Sequence, residues 1–233
     1  MRGGRGNRAR IIVPVADASS RIAAGTTNEK GARLATLWKS EDRAAWRAAL
    51  DDYEAVIDRQ GVARLAELDR WCREELPAAI ASRATPHVTH DELVRVTEWK
   101  MARGIFRPRN LVLVRGNAPS LVERTSTAAL AAIPDPRRPV ALLAELAGVG
   151  PATASAIAAA AAPDIYPFFD ELVGAQVPGL GTVAFTPAYY AKYAAALRTR
   201  ADELGDGWTP VMVEQALWSH VGGKAGTKAA SRK

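Results

Sequence analysis

One carboxylate closes a loop whose neighbours say what it can do. Asp170 ends the run Pro167-Phe168-Phe169-Asp170, with Tyr166 before it and Glu171 as a second acid behind it. A carboxylate among rings can stabilise a developing positive charge and orient an attacking water. Tyr166, Phe168 and Phe169 offer faces on which a planar group can stack, although rings at such positions are as often packed in a core. Gly148-Val149-Gly150 precedes Asp170, with 22 positions between Gly148 and Asp170. Leu142, Leu143 and Leu146 lie at helical spacing before these glycines. Ala154, Ile157, Ala158 and Ala161 lie at helical spacing after them. The pattern predicts two helices joined by a tight hairpin, with Pro151 opening the second helix, where its missing N–H costs nothing. The amides of Val149, Gly150 and Ala152 are then expected free at a helix N-terminus, with the Thr153 hydroxyl beside them. Such a terminus is an anion site suited to two successive backbone phosphates.

A second constellation supports a nucleic-acid partner. Between residues 93 and 115 stand Arg95, Lys100, Arg103, Arg107, Arg109 and Arg115 against the single acid Glu98. Trp99 and Phe106 are interleaved with these cations. Cations grip phosphates while rings stack on bases, and the competing reading is a solvated helix face with buried rings. Lys100, Arg103, Arg107 and Arg109 are the expected backbone contacts, together with Gly148, Val149, Gly150, Ala152 and Thr153. Trp99, Tyr166, Phe168 and Phe169 are the expected walls of a base pocket.

The series Leu143, Leu146, Gly148-Val149-Gly150, Thr153-Ala154 and Ile157, followed by Pro167-x-x-Asp170, resembles the helix-hairpin-helix DNA glycosylase superfamily. The motif spans about 35 of the 233 residues. The resemblance implies a two-lobed, all-helical fold, Asp170 as the catalytic carboxylate and duplex DNA with a flipped base as the substrate. Members that also cut the strand carry a lysine two residues after the second hairpin glycine, and here that residue is Ala152. Members with an iron–sulfur cluster need four cysteines, and this chain has only Cys72. The resemblance therefore implies a monofunctional, cofactor-free hydrolase that releases a damaged or modified base and leaves the strand intact. The alternative is a non-catalytic helix-hairpin-helix DNA-binding protein. Asp170 would then be only the N-cap of a helix opening at Glu171-Leu172-Val173, since Asp favours that position.

The elements that must position these residues read as helices throughout, with no sustained strand alternation. Ser40 is expected to cap a helix carrying Trp46, Leu50, Tyr53 and Ile57, and Leu65, Leu68, Cys72 and Leu76 form the next apolar stripe, ended or kinked at Pro77. Thr89 and Glu92 make a capping box for a helix that stops at Gly104. Helices around 108–115 and 119–132 follow. After Asp170 a short helix is expected to Val177, and Thr186-Pro187 and Thr209-Pro210 open two longer ones. The expected organisation is a basic, unstructured arm over 1–33, one all-α domain over 34–222 with the hairpin unit at 139–162, and a basic tail over 223–233.

Net charge is +6, but residues 1–10 and 224–233 hold eight cations and no acid, so the rest of the chain is slightly acidic. Local patches, not overall charge, must therefore guide any DNA reading. A lone cysteine excludes an internal disulfide. His87 and His90 have the spacing of a ligand pair but no further ligand pattern, so no metal is expected. No long apolar run or signal core is visible, so no membrane contact is expected; the lone cysteine fits a reducing cytosol, and a cytoplasmic monomer, nucleoid-associated if bacterial, is expected.

Overall fold

The computed structural model describes residues 37–205 and 207–231; the arm expected over 1–33 lies outside the described residues. The described residues are all helical, without a strand. In chain order the helices are α1 (Arg43–Asp51), α2 (Tyr53–Arg59), α3 (Leu65–Arg70), α4 (Leu76–Ser82), α5 (His90–Arg103), α6 (Pro108–Arg115) and α7 (Pro119–Ala131). They continue as α8 (Arg138–Leu143), α9 (Pro151–Ala161), α10 (Glu171–Gly174), α11 (Pro187–Leu204), α12 (Pro210–His220) and α13 (Gly223–Ser231).

Proline sets much of this punctuation. Pro108, Pro119, Pro151, Pro187 and Pro210 each occupy the first position of a helix, where the fixed φ is already helical and no N–H is needed. Thr186 and Thr209 cap α11 and α12 through the amides of Tyr189 and Met212. Thr89 and Glu92 form the expected capping box on α5, which ends at Gly104. Pro77 acts differently from expectation. The helical path runs on from Leu65 to Ser82, with a wider π turn at Trp71–Glu75 just before the proline. A π turn absorbs the hydrogen bond that proline cannot donate. Asp42 caps α1 through the Ala44 amide, and Ser40 instead accepts from the Asp42 amide.

The expected stripes become one shared core. Trp46, Tyr53, Leu65, Leu76, Leu143, Ile157, Tyr190, Leu197 and Trp218 are all buried in it. Helix α12 packs on α1 and α11, and α9 packs on α8 and α5. The described helices belong to a single unit. The segment expected as a C-terminal tail is helical over α13 and is docked. Gln60 bonds to the Gly222 carbonyl and the Ala225 amide. No described helix is long and apolar enough to cross a membrane.

Candidate active site

The hairpin between α8 and α9 is fixed from outside. Asn117 accepts a hydrogen bond from the Ala147 amide (3.0 Å) and donates to the Ala147 carbonyl (2.9 Å). Gly148, at φ +78°, lies so close to α6 that a Cβ would sit 2.5 Å from the Asn110 carbonyl oxygen. Only glycine tolerates both the backbone conformation and the approach. Gly150 differs, because a Cβ there meets open space. The Val149 amide is not free as expected, since it donates to the Leu146 carbonyl at 3.1 Å. Helix α9 has no side-chain cap, and the amides of Ala152 and Thr153 lie in its first turn. Val149, Ala152 and Thr153 are buried.

The loop carrying Asp170 is tied to the same unit. Ser155, one turn into α9, accepts from the Phe169 amide (2.9 Å) and donates to the Ala152 carbonyl (2.9 Å). Tyr193 donates to the Phe168 carbonyl (2.7 Å) and Tyr190 to that of Pro167 (3.1 Å). Arg198 holds the Ile165 carbonyl, and Tyr166 donates to that of Asp135. Each such bond stabilises by about 1 kcal/mol net. Burial pushes the Tyr190 and Tyr193 phenols above the usual range, so both stay neutral donors.

Asp170 is buried, with 9% relative exposure. Its Oδ1 accepts from the Leu172 amide (2.7 Å), capping α10, and its Oδ2 lies 3.7 Å from Arg103 Nε. Arg103 corrects an expectation. It is only 3% exposed and cannot reach DNA phosphates from this position. Its guanidinium donates to Tyr53 Oη (3.1 Å) and pairs with Glu214, inside a cage formed by the rings of Tyr53, Trp99, Phe168 and Trp218. Arg103 Nε has no hydrogen-bond partner. Tyr53 donates to Asp69 (2.8 Å), which also accepts from Trp99 Nε1 (3.0 Å) and Arg73 Nε (2.8 Å). Carboxylates around Arg103 hold its pKa above the ordinary value against the cost of burial, and burial pushes the Glu214 carboxyl up to about 8 against the opposing Arg103 charge.

A cavity of about 380 Å³ adjoins this cluster, lined by Trp99, Phe168, Arg103, Glu214 and the small residues Ala156 and Ala160 of α9, among others. Its size is at the small end of ligand pockets. Two of the four expected base-pocket rings, Trp99 and Phe168, line it, with centroids 4.7 Å apart. The other two do not. Tyr166 is fully buried, and Phe169 packs among Phe185, Tyr189, Tyr190 and Tyr193. Asp170 is not a lining residue; Arg103, which lines the cavity, connects the two.

The basic patch divides. Arg95 pairs with Glu67 (3.3 Å) and Arg115 with Glu98 (2.9 Å), and Arg103 is buried. Lys100, Arg107 and Arg109 have no carboxylate within ion-pair distance among the described residues. Lys100 lies in the electrostatic reach of Asp170 and Glu171, and burial followed by the Arg107 charge lowers its pKa. Phe106, in the loop between α5 and α6, is 65% exposed. His87 and His90 are spent on the Thr85 and Arg115 carbonyls. Sequence reasoning missed Asp69, Ser155, Tyr193 and Glu214. Glu214 alone carried a signal, an acid at a position of α12 flanked by Val213 and Leu217 of its apolar stripe. Comparisons with family models, curated proteins and solved structures find no match to this chain.

Proposed function

We propose that the chain is a monofunctional DNA glycosylase of helix-hairpin-helix type, which hydrolyses the N-glycosidic bond of a damaged or modified base. The observation that carries the reading is the hydrogen bond between Ser155 of α9 and the Phe169 amide. It ties the loop before Asp170 to the helix that leaves the hairpin, so a strand held at the hairpin would be registered against Asp170. The cavity walled by Trp99 and Phe168 offers a place for an extruded base. In this reading the C1′–N bond breaks, the base leaves with the bonding electrons, and Asp170 stabilises the cationic sugar until water adds at C1′ and loses a proton, which the released base takes up. Oδ1 is spent on the Leu172 amide and Oδ2 lies 3.7 Å from Arg103 Nε, too long for a hydrogen bond, so Oδ2 is the oxygen left for that charge.

One observation favours the non-catalytic alternative: Asp170 caps α10, is nearly buried and does not line the cavity. Base release from duplexes that each carry one damaged or modified base separates the two readings, with abasic sites revealed by hot alkali. Wild type is expected to release one base, and Asp170→Asn to lose release while binding the same duplex. Full activity in Asp170→Asn removes Asp170 from the mechanism. Duplex binding without release by either protein favours the binder.

A further inference from the structure

The C-terminal helix brings charge to the candidate site that its sequence position does not announce. Lys224 of α13 donates from Nζ to the Gly104 carbonyl (2.5 Å), the residue that ends α5 and opens the loop bearing Phe106 and Arg107. The contact joins positions 120 residues apart. Arg107 and Lys224 act electrostatically on Lys100, Lys228 acts on Lys224, and Asp170 and Glu171 act on both Lys100 and Lys224. The groups facing this region are therefore the cations Lys100, Arg107, Lys224 and Lys228 and the acids Asp170 and Glu171, of which Asp170 already has Arg103 beside it. None of these four cations has a carboxylate within ion-pair distance among the described residues. Desolvation, then the neighbouring Lys228 charge, lowers the Lys224 pKa. Four cations share this region with two acids, and the excess positive charge costs free energy unless a further anion joins it.

We propose that α13 is a DNA-gripping element, in which Lys224 and Lys228 take backbone phosphates beside the nucleotide presented to Asp170. The proposal rests on the DNA-binding reading above. Lys224 has a second task, holding the Gly104 turn and with it the exposed ring of Phe106 at the same surface. The duplex backbone fits as partner because its phosphates can be met by the cations that α5, the following loop and α13 supply to one region.

The test is fluorescence anisotropy of a labelled duplex with a tetrahydrofuran abasic-site analogue, titrated at several salt concentrations. Each lost phosphate contact reduces the slope of log K against log salt by about 0.9. Lys228 is exposed, so Lys228→Gln leaves packing intact and is expected to lower the slope by about 0.9. Lys224→Gln/Lys228→Gln is expected to lower it by about 1.8 and to weaken binding about tenfold or more near 0.1 M salt. Lys224→Arg, which keeps the charge, retains the wild-type slope. If the double variant does not fold, Lys228→Gln decides. Wild-type slope and affinity in Lys228→Gln and the folded double variant overturn the proposal, while Gly150→Asp, measured beside them, reports separately on the hairpin. Absence of salt-dependent binding by wild type itself overturns the DNA reading and this proposal together.

Discussion

Arg103 shows how far one residue can depart from what its type suggests. In a run of cations it reads as a phosphate contact, yet it is the buried hub between Glu214, Tyr53 and Asp170. A guanidinium is weakly hydrated and planar, so four rings and two carboxylates can replace its water. Removing it leaves the Asp170 carboxylate and the polar Glu214 carboxyl without their partner in a dry environment. Arg103→Ala is expected to cost about 3–5 kcal/mol, read as a lower urea midpoint. An unchanged midpoint would show that the cluster contributes nothing net. Trp99 was legible as an aromatic near the site, but its indole is committed to Asp69. Any stacking must therefore use its ring face and not its N–H.

At the scale of elements, the two hairpin glycines have different tasks. Gly148 is held by sterics: Gly148→Ala forces a Cβ against the α6 backbone at positive φ, and a loss of about 1–3 kcal/mol is expected in thermal or chemical unfolding. Gly150 faces open space, so Gly150→Asp is expected to fold like wild type and to weaken binding to duplexes of every sequence alike, because a carboxylate then stands where phosphate would. Unchanged affinity in the folded variant would refute the phosphate clamp at α9. The glycine spacing was legible in the sequence, and so was the start of α9 at Pro151. The support from Asn117 was not, because a side chain that satisfies both backbone groups of a residue 30 positions away leaves no local pattern.

For the whole molecule, buried ionisable groups tie stability to pH. The Glu214 carboxyl titrates near 4.5 when solvated and is raised to about 8 in the fold by burial. Between those values the folded state holds a proton that the unfolded chain has released, so stability falls as pH rises from about 4.5 to about 8. Glu214→Gln removes that titration, and its unfolding free energy is expected to vary less over the same window in urea titrations at successive pH values. An equal slope in both proteins would place the linkage elsewhere. Above pH 10 the buried phenols of Tyr53, Tyr190 and Tyr193, each raised by burial, add a second loss of stability of the same sign.

The sequence by itself determined the elements: helices opened by Pro108, Pro119, Pro151, Pro187 and Pro210, the capping box at Thr89 and Glu92, the hairpin glycines and the Asp170 loop. These are local effects of φ restriction, capping and apolar period, which act within a few residues and leave their mark on spacing. Tertiary structure decided which cations meet solvent and which are buried, since Arg103 and Lys100 stand one turn apart on α5 and only Arg103 is buried. It alone brought Glu214 and Asp69 to Arg103, separated Trp99 and Phe168 from Tyr166 and Phe169, and returned Lys224 to the end of α5. Those juxtapositions depend on packing between residues far apart in the chain, where burial and charge compensation, not spacing, select the partner.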